Sequence, residues 1–357
     1  QEDNNATGDF DIDGANELEI RAAGPNAKVI VDGNGIDRIF DKKSTGKLKL
    51  TSLRITGGEL TAIEDGGGML AGVGLTELEY VTVDSNFSAS SAGGIAVYAN
   101  LLMVNSTISG NGADGNGGGF YAPGGASVTL RSSTVYGNTA DVDNDGNGAG
   151  GGFAMAGALS VNFSNVLNVK NAGKSPTPGN SATDCSSGPQ FFPRYSLQTQ
   201  AFGPSDCLVG FNQSSTSTDS PRVNSKLLYN GGQTPTHNLL KGSPAIGAGG
   251  TAPPDECPGI DQNGIGRVAG KCDIGSTTYI PKPKLRFIKI QPKKKVVRRG
   301  KVRQLTIVFR NVGDGPALKT RVCLKLPKAT RKGLRIKGKA CRTPGKVGPG
   351  KTRRVKV

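Results

Sequence analysis

The sequence predicts an all-β protein, in which a right-handed parallel β-helix over residues 1–279 is followed by a small, partial Ig-like β-sandwich. Apolar residues alternate with Ser, Thr and Asn in short segments that recur along the chain, as half-buried strands require. Aligning these segments on Ile55, Val83, Ile108 and Val135 gives steps of 28, 25 and 27 residues. Gly contributes 54 of the 357 residues, and each Gly inside a helix costs about 1 kcal/mol relative to Ala, so long helices are excluded.

Each repeat combines two kinds of β segment. One is an alternating line such as residues 101–111, and the other is a Gly-rich line such as residues 117–120. A single repeat cannot bury its own apolar line, but stacked repeats bury it continuously and pair their backbones about 4.8 Å apart. Asn86, Asn111 and Asn138 occupy equivalent corners and are predicted to stack as a side-chain ladder. The period is too short for the roughly 40–50-residue blades of a propeller.

The charge distribution marks a domain boundary. Residues 280–357 hold 27 Lys and Arg but one acidic residue, a net charge of +26, whereas residues 1–279 have a net charge of −10. The two prolines and two lysines of residues 280–284 predict a stiff, extended linker. Residues 285–357 then alternate apolar and polar positions between Gly- and Pro-containing turns, which is typical of a small β-sandwich.

Both ends of the sequence resemble positions in the interior of a longer chain. The chain starts with Gln rather than Met, and residues 353–357 resemble a strand that is just beginning. We therefore expect an interior piece of a longer protein, with a second domain that lacks its last strands.

The six cysteines fall into three near-neighbour pairs. None belongs to a Cys-x-x-Cys motif and the chain has one His, so a zinc site is disfavoured. Three local disulfides formed in an oxidising compartment are predicted, each stabilising by roughly 3 kcal/mol, and six buried free thiols are the alternative. The predicted pairs are Cys185–Cys207, Cys257–Cys272 and Cys323–Cys341.

The end of the first domain carries the most specific motif. Residues 229–247 read Tyr-Asn-Gly-Gly-Gln-Thr-Pro-Thr-His-Asn-Leu-Leu-Lys-Gly-Ser-Pro-Ala-Ile-Gly, and Asp-Gln-Asn-Gly-Ile-Gly-Arg follows at residues 261–267. Together with the Gly-Gly-Gly-Phe and Asn-Ser-Thr-Ile-Ser-Gly-Asn repeats, these segments resemble the choice-of-anchor Q type of bacterial surface β-helix protein, which has polymorphic outer-membrane-like repeats. Gly247 stands where that group usually has Asp, so no role of this acid carries over. The resemblance implies a secreted or surface-anchored protein, usually without assigned catalysis.

The second domain resembles a different group. The turn Asn-Val-Gly-Asp at residues 311–314 and the strand Cys-Leu-Lys-Leu-Pro at residues 323–327 are similar to the adhesion-related Ig-like repeats of the CARDB type.

One acidic run opens like a calcium-binding loop. Asp141, Asp143 and Asp145 take its positions 1, 3 and 5, and Gly146 at position 6 permits the sharp turn on which carboxylates converge around a hard cation. The closing Glu is missing, because position 12 is Gly152. Two interpretations stay open: a Ca²⁺ site, or a solvated acidic loop between coils. Nothing else in the sequence requires a cofactor.

A catalytic set must also be considered, because β-helix scaffolds carry polysaccharide lyases and glycoside hydrolases. The candidates are Asp84, Asp114 and Asp141, at spacings of 30 and 27 residues, with Arg131 or Lys170 as the basic partner. Asp114 and Asp141 fall in Gly-rich turns, where acids are ordinary, and the chain has no Trp to line a sugar cleft. The sequence therefore favours a non-catalytic protein.

The strongly basic second domain predicts an anionic partner. Its charge would suit nucleic acid, but it lacks the aromatic residues that single-strand binders interleave with basic ones. Anionic envelope polymers fit the same electrostatics, and a solvated basic surface is the alternative. His237 is predicted to be a turn or packing residue. We expect an exported bacterial protein, extracellular or at the cell surface, that binds glycans or envelope polymers in adhesion; the alternatives are a polysaccharide lyase or hydrolase and a purely structural stalk.

Overall fold

The chain forms two compact units, Gln1–Tyr279 and Ile280–Val357. The computed structural model describes residues 8–157, 160–173, 184–187, 193–199, 216–218, 220–252, 257–268, 270–291, 304–323 and 341–356. Within these residues the secondary structure is entirely β, without a helix.

The first unit is made of short strands. In chain order, those that the structure describes are β1 (Phe10–Ile12), β2 (Leu18–Arg21), β3 (Val29–Asp32), β4 (Phe40–Lys42), β5 (Leu48–Thr51), β6 (Leu53–Thr56), β7 (Glu59–Leu60), β8 (Met69–Ala71), β9 (Leu75–Glu79), β10 (Thr82–Asp84), β11 (Phe87–Ser88), β12 (Ile95–Val97), β13 (Asn100–Val104), β14 (Thr107–Ser109), β15 (Gly112–Ala113), β16 (Phe120–Ala122), β17 (Ser127–Arg131), β18 (Thr134–Tyr136), β19 (Phe153–Met155), β20 (Ser160–Ser164), β21 (Leu167–Val169), β22 (Cys185–Ser187), β23 (Leu197–Thr199) and β24 (Thr216–Thr218).

These strands stack into three long parallel sheets and one short one. Sheet A has the order β1-β4-β8-β12-β16-β19-β22, sheet B has β2-β5-β9-β13-β17-β20, sheet C has β3-β6-β10-β14-β18-β21-β23-β24, and sheet D has β7-β11-β15. Neighbouring strands in these sheets are consecutive passes of the chain, and they run parallel. The unit is therefore a β-solenoid of about six turns, and the predicted parallel β-helix is confirmed.

The register of sheet C is the alignment that the sequence repeat predicts. Val83 pairs with Ile55 on the preceding coil and with Ile108 on the next, and Ile108 pairs with Val135. All four side chains are buried. Since burying a large apolar side chain contributes about 1.5–3 kcal/mol, this continuous column is a main source of stability. Sheet A adds a second buried column, formed by Met69, Ile95, Phe120 and Phe153.

The Gly-rich line lets adjacent coils approach each other closely. A Cβ atom at Gly93 would collide with the carbonyl oxygen of Gly112, and one at Gly118 would collide with the backbone of Thr139. Glycine is needed at these positions because any side chain would push the coils apart.

The predicted asparagine ladder is confirmed and is longer than predicted. Asn86 donates to Asn111, Asn111 to Asn138, and Asn138 to Asn171, each through Nδ2 to Oδ1 at 2.9 Å. Asn171 in turn donates to Asp184 at 3.1 Å. All five side chains are buried. The ladder therefore supplies hydrogen-bond partners to buried polar groups at a corner of the solenoid, where the chain passes from one sheet to the next.

The described residues between 220 and 279, which we call the cover, lie over the outward side of sheet C. Thr82 donates to the carbonyl of Pro235, and Thr107 donates to Oε1 of Gln262 at 2.6 Å. Further along the sheet the contact becomes apolar, where Leu167 and Ile274 belong to one buried cluster. The cover therefore protects a face of sheet C that would otherwise be open to water.

Two of the predicted disulfides are present in the described residues. Cys257–Cys272 lies in the cover, and Cys323–Cys341 lies in the second unit. Cys185 is also disulfide-bonded, but its predicted partner Cys207 lies outside the described residues.

The second unit contains two antiparallel sheets. In the described residues, one has the order β25 (Leu285–Gln291), β26 (Thr306–Asn311), β29 (Thr352–Lys356), and the other pairs β27 (Val322–Cys323) with β28 (Cys341–Arg342). Lys282 and Lys284 of the predicted linker donate their backbone N–H groups to Asp314 and Asn311 of this unit. Residues 324–340 of the predicted alternating pattern lie outside the described residues.

Candidate functional site

Asp84 lies at the end of β10 and is held by an arginine on the preceding coil. Its two carboxylate oxygens accept from Nε and Nη2 of Arg54 at 2.7 and 2.6 Å, and its exposed fraction is 1%. Hydrogen bonding to this carboxylate raises the pKa of Arg54. A bidentate, charge-assisted pair of this kind fixes both side chains, so Asp84 is engaged in structure.

The structure brings Asp114 together with the acidic loop, which we define as residues 141–149. Asp114 follows β15, and its pKa is raised first by burial and then by the charges of Asp143, Asp145 and Asp141. Within the loop, one carboxylate oxygen from each of Asp141, Asp143 and Asp145 lies within 4.8 Å of the others. Two hydrogen bonds from Asn147 lower the pKa of Asp145.

The two basic candidates lie elsewhere. Arg131 is the exposed last residue of β17 in sheet B, paired in register with Val104 and Ser164. Lys170 is exposed and follows β21 in sheet C. Among the described residues, no hydrogen bond or salt bridge joins Asp84 or Arg131 to the acidic loop.

Sequence reasoning missed a buried charge cluster in the first coils. Arg38 has an exposed fraction of 3%, and its Nη1 contacts Asp41 at 2.7 Å and Asp9 at 3.9 Å. Its Nη2 reaches Glu64 at 3.2 Å, one coil further along. Asp9 and Asp41 stand on separate passes of the chain, and only the register of β1 with β4 brings their coils together. The sequence signal for this cluster is the alternation of Asp with apolar residues, Asp-Phe-Asp-Ile at residues 9–12 and Phe-Asp at residues 40–41.

The charges in this cluster are largely balanced. Lys43 contacts Asp11 at 3.0 Å and Asp41 at 3.5 Å, in addition to the Arg38 contacts. Burial, followed by the charges of Asp11 and Asp41, raises the pKa of Asp9 to about 6. We call Asp9, Asp11, Arg38, Asp41 and Lys43 the Arg38 cluster.

A groove of about 510 Å³ lies beside this cluster. Tyr98 forms one side of it with an exposed fraction of 46%, and its hydroxyl donates to Oδ2 of Asp65 at 2.6 Å. The other oxygen of Asp65 accepts the backbone N–H of Ser91 at 2.8 Å. Burial and the bond to Asp65 raise the pKa of Tyr98, so the phenol stays protonated at neutral pH. The lining residues are Arg38, Ile63, Glu64, Asp65, Leu70, Gly72, Ser90 and Tyr98.

His237 is a packing residue, as predicted. Its ring stacks on Tyr136 with centroids 4.1 Å apart, its Nδ1 lies 2.8 Å from the carbonyl oxygen of Asn224, and its Nε2 lies 2.8 Å from the Ser109 hydroxyl. Its exposed fraction is 1%, so it belongs to the contact between the cover and sheet C.

The three-stranded sheet of the second unit has a basic face. Arg286 of β25 pairs directly with Arg310 of β26. Val308 of β26 pairs with Lys289 of β25 on one side and with Arg354 of β29 on the other. Like charges directly opposite each other across two strands are destabilising. We define the basic face as five exposed residues: Arg286, Lys289, Arg310, Arg354 and Lys356.

No protein-family model, curated protein or solved structure shows significant similarity to the chain. In the part of the chain that the structure describes, no helix has the length and apolar character of a membrane span.

Proposed function

We propose that this chain is a non-catalytic, exported bacterial surface protein that binds polysaccharide through the groove beside Tyr98. The β-solenoid supplies a rigid support, because each coil is fixed by its neighbours. Disulfides support an oxidising, extracellular location, as does the resemblance to choice-of-anchor Q proteins.

The half-exposed ring of Tyr98 carries this proposal. An exposed aromatic face offers apolar area for a sugar ring, and the Asp65 bond holds the phenol in one orientation. Glu64 and Ser90 add hydrogen-bonding groups on the same groove, which is the combination that small-molecule sites use for orientation. Since the groove holds two carboxylates and one guanidinium, a neutral glycan suits it better than an anionic one.

The arrangement of the acids supports binding over catalysis. A lyase or hydrolase needs its carboxylates free beside one bond of the substrate. Asp84 instead forms the bidentate pair with Arg54, and Arg131 lies in a different sheet. The lyase or hydrolase alternative therefore has less support than a binding protein.

The test is affinity electrophoresis of the full chain through gels that contain neutral glucans, mannans or xylans, or pectin or alginate. We expect retardation by at least one neutral polymer, lost in Tyr98→Ala and partly kept in Tyr98→Phe, which retains the ring. Phe287→Ala, which removes an exposed aromatic side chain from the second unit, is the matched control and should migrate like the wild type. Equal binding by Tyr98→Ala would refute the groove, a blank panel would favour a structural stalk, and soluble products would favour the enzyme.

A second candidate function is attraction of anionic envelope polymers to the basic face. Arg286 opposite Arg310 is the specific observation that favours it, because an anionic ligand would relieve the repulsion between them. Apart from Asp314, residues 280–357 contain no acid that could neutralise this surface. The Ig-like character of the domain remains part of this proposal.

Dextran sulfate and unmodified dextran separate charge from sugar recognition, because they share one backbone. We expect the full chain to bind dextran sulfate with strong salt dependence, and Arg286→Gln/Lys289→Gln/Arg354→Gln to lose about tenfold in affinity. The control Lys319→Gln/Arg321→Gln/Lys346→Gln removes three exposed charges of the same unit outside the three-stranded sheet. An equal loss in both triple variants would indicate net charge rather than a defined face.

A further inference from the structure

We infer that Asp114 and the acidic loop form a Ca²⁺ site that joins two consecutive coils of the solenoid. The loop rests directly on the coil before it. Val142 donates its backbone N–H to the carbonyl of Ala113 at 3.1 Å, and Ala149 donates to Oδ1 of Asn116 at 3.0 Å. The aspartates of the loop are thereby held beside Asp114 from the preceding coil.

Three carboxylates converge here without a basic partner, and a fourth, that of Asp114, lies on the preceding coil beside the loop. Oxygens of Asp141, Asp143 and Asp145 lie within 4.8 Å of one another. Asp114 is not one of these three, and the hydrogen bond from Val142 to the carbonyl of Ala113 places it beside the loop. In the described residues, no lysine or arginine forms a salt bridge with any of the four. Mutual repulsion of this kind is relieved when a cation binds among the carboxylates.

One buried oxygen points independently to a ligand. Asp141 has an exposed fraction of 3%, and its Oδ1 accepts the backbone N–H of Gly146 at 3.0 Å. Its Oδ2 is fully buried and has no hydrogen-bond partner among the residues that the structure describes. Buried carboxylate oxygens are normally satisfied, so an orphan within an acidic group is a position for a metal ligand.

The donor set fits Ca²⁺. This ion takes six to eight oxygen ligands, from carboxylates, backbone carbonyls and water. The loop has the 1-3-5 aspartates of a calcium loop but Gly152 where the closing Glu would stand. Asp114 supplies the missing acid from the neighbouring coil, which the spacing of residues within one loop cannot reveal.

The Arg38 cluster is the other group of converging acids, and it is a poorer site. Asp9, Asp11 and Asp41 also lie within 4.8 Å of one another. Both oxygens of Asp9 and Oδ1 of Asp41 are buried without a hydrogen-bond partner among the described residues, but Arg38 and Lys43 already form ion pairs with these acids. A cation there would have to displace two positive charges. This difference allows one experiment to separate the two clusters.

The test is titration of the full chain with CaCl₂ by isothermal calorimetry. We expect one site, with the affinity lowered about tenfold or more in both Asp114→Asn and Asp143→Asn. Asp13→Asn, an exposed acid on another coil, is the matched control and should bind like the wild type, as should Asp11→Asn. Asn keeps the size of the side chain, and circular dichroism without calcium verifies that each variant is folded.

A second readout is the thermal midpoint, which a ligand specific for the folded state must raise. We expect Ca²⁺ to raise it in the wild type and in Asp13→Asn, and not in Asp114→Asn. Three outcomes would overturn the inference: no binding up to about 10 mM Ca²⁺, unchanged affinity in Asp114→Asn, or loss of binding in Asp11→Asn with Asp143→Asn unaffected. These three outcomes are independent of the polysaccharide test, because calcium binding is measured without glycan.

Discussion

The side-chain amide of Asn111 donates a 2.9 Å hydrogen bond to Oδ1 of Asn138, its counterpart on the next coil. The same Oδ1 accepts the backbone N–H of Asn111 at 3.0 Å, and Nδ2 of Asn111 also reaches the carbonyl of Val83 at 3.1 Å. Both side chains are buried. One residue type therefore connects three consecutive coils while leaving no polar atom of its amide unpaired.

Asn111→Ala is expected to lower the free energy of unfolding by about 3 kcal/mol. The substitution removes the Asn111 partner of the backbone N–H of Asn86 and of the carbonyl of Val83, and each buried unsatisfied group costs about 1–3 kcal/mol. Nδ2 of Asn86 loses one of its two bonds and keeps the one to the carbonyl of Ile55. Urea denaturation followed by circular dichroism measures the loss. Asn162→Ala is the control, since this exposed side chain on sheet B bonds to Ser160 and its removal should cost less than about 0.5 kcal/mol. Equal losses would contradict the role of the ladder.

The parts of the fold that repeat were predictable from the sequence. Val83 stacks on Ile55 and Ile108 because each coil presents the same apolar position, and the corner asparagines follow the same period. The cover was recognised as a motif, yet its contacts were not predictable. The reach of Gln262 to Thr107 joins residues 155 positions apart, and no local pattern encodes such a contact.

The charged sites were less predictable for the same reason. Asp84 was singled out by its spacing, but its partner follows from strand register: Arg54 pairs with Thr82, two residues before Asp84. The Arg38 cluster, together with the Glu64 partner of Arg38, draws on three coils without a repeated spacing. Sequence spacing therefore located acids, whereas their chemistry depended on which cation the register placed beside them.

Arg54→Met is expected to lower the free energy of unfolding by about 2–4 kcal/mol at pH 7. The change keeps an apolar stem but leaves a buried carboxylate at Asp84 without its cation. Arg54→Met/Asp84→Asn should be more stable than Arg54→Met alone, since no unpaired charge remains. A double-mutant cycle by chemical denaturation measures this coupling, and strictly additive losses would contradict a structural ion pair.

Asp9→Asn is expected to stabilise the protein at neutral pH. The folded pKa of Asp9, about 6, is above the unfolded value of about 3.9, so the folded state binds a proton more tightly. Stability contributed by this proton is present below about pH 4 and is lost as the pH rises through about 6. After allowance for solvent screening, we expect a gain of about 1–2 kcal/mol at pH 7.5 and none at pH 3.5.

Denaturation of Asp9→Asn and of Asp13→Asn across this pH range separates burial from simple charge removal. Asp13 is exposed, so its substitution should change stability little at either end of the range. A gain for Asp9→Asn that is the same at pH 3.5 and pH 7.5 would show that the carboxyl group does not titrate in this range.

His237 gives the opposite pH dependence. A carbonyl oxygen only accepts, so Nδ1 of His237 donates to Asn224. In the neutral imidazole that burial favours, Nε2 then accepts from the Ser109 hydroxyl. Burial lowers the folded pKa below the ordinary 6.5, and therefore stability is lost as the pH falls below about 6.5, where the unfolded state gains a proton. His237→Gln should flatten the stability curve between about pH 6.5 and 5, most clearly in an Asp9→Asn background where the opposing titration is removed. Because the chain has one His, its imidazole NMR signals report this group alone, and titration near pH 6.5 in the folded protein would contradict the buried neutral ring.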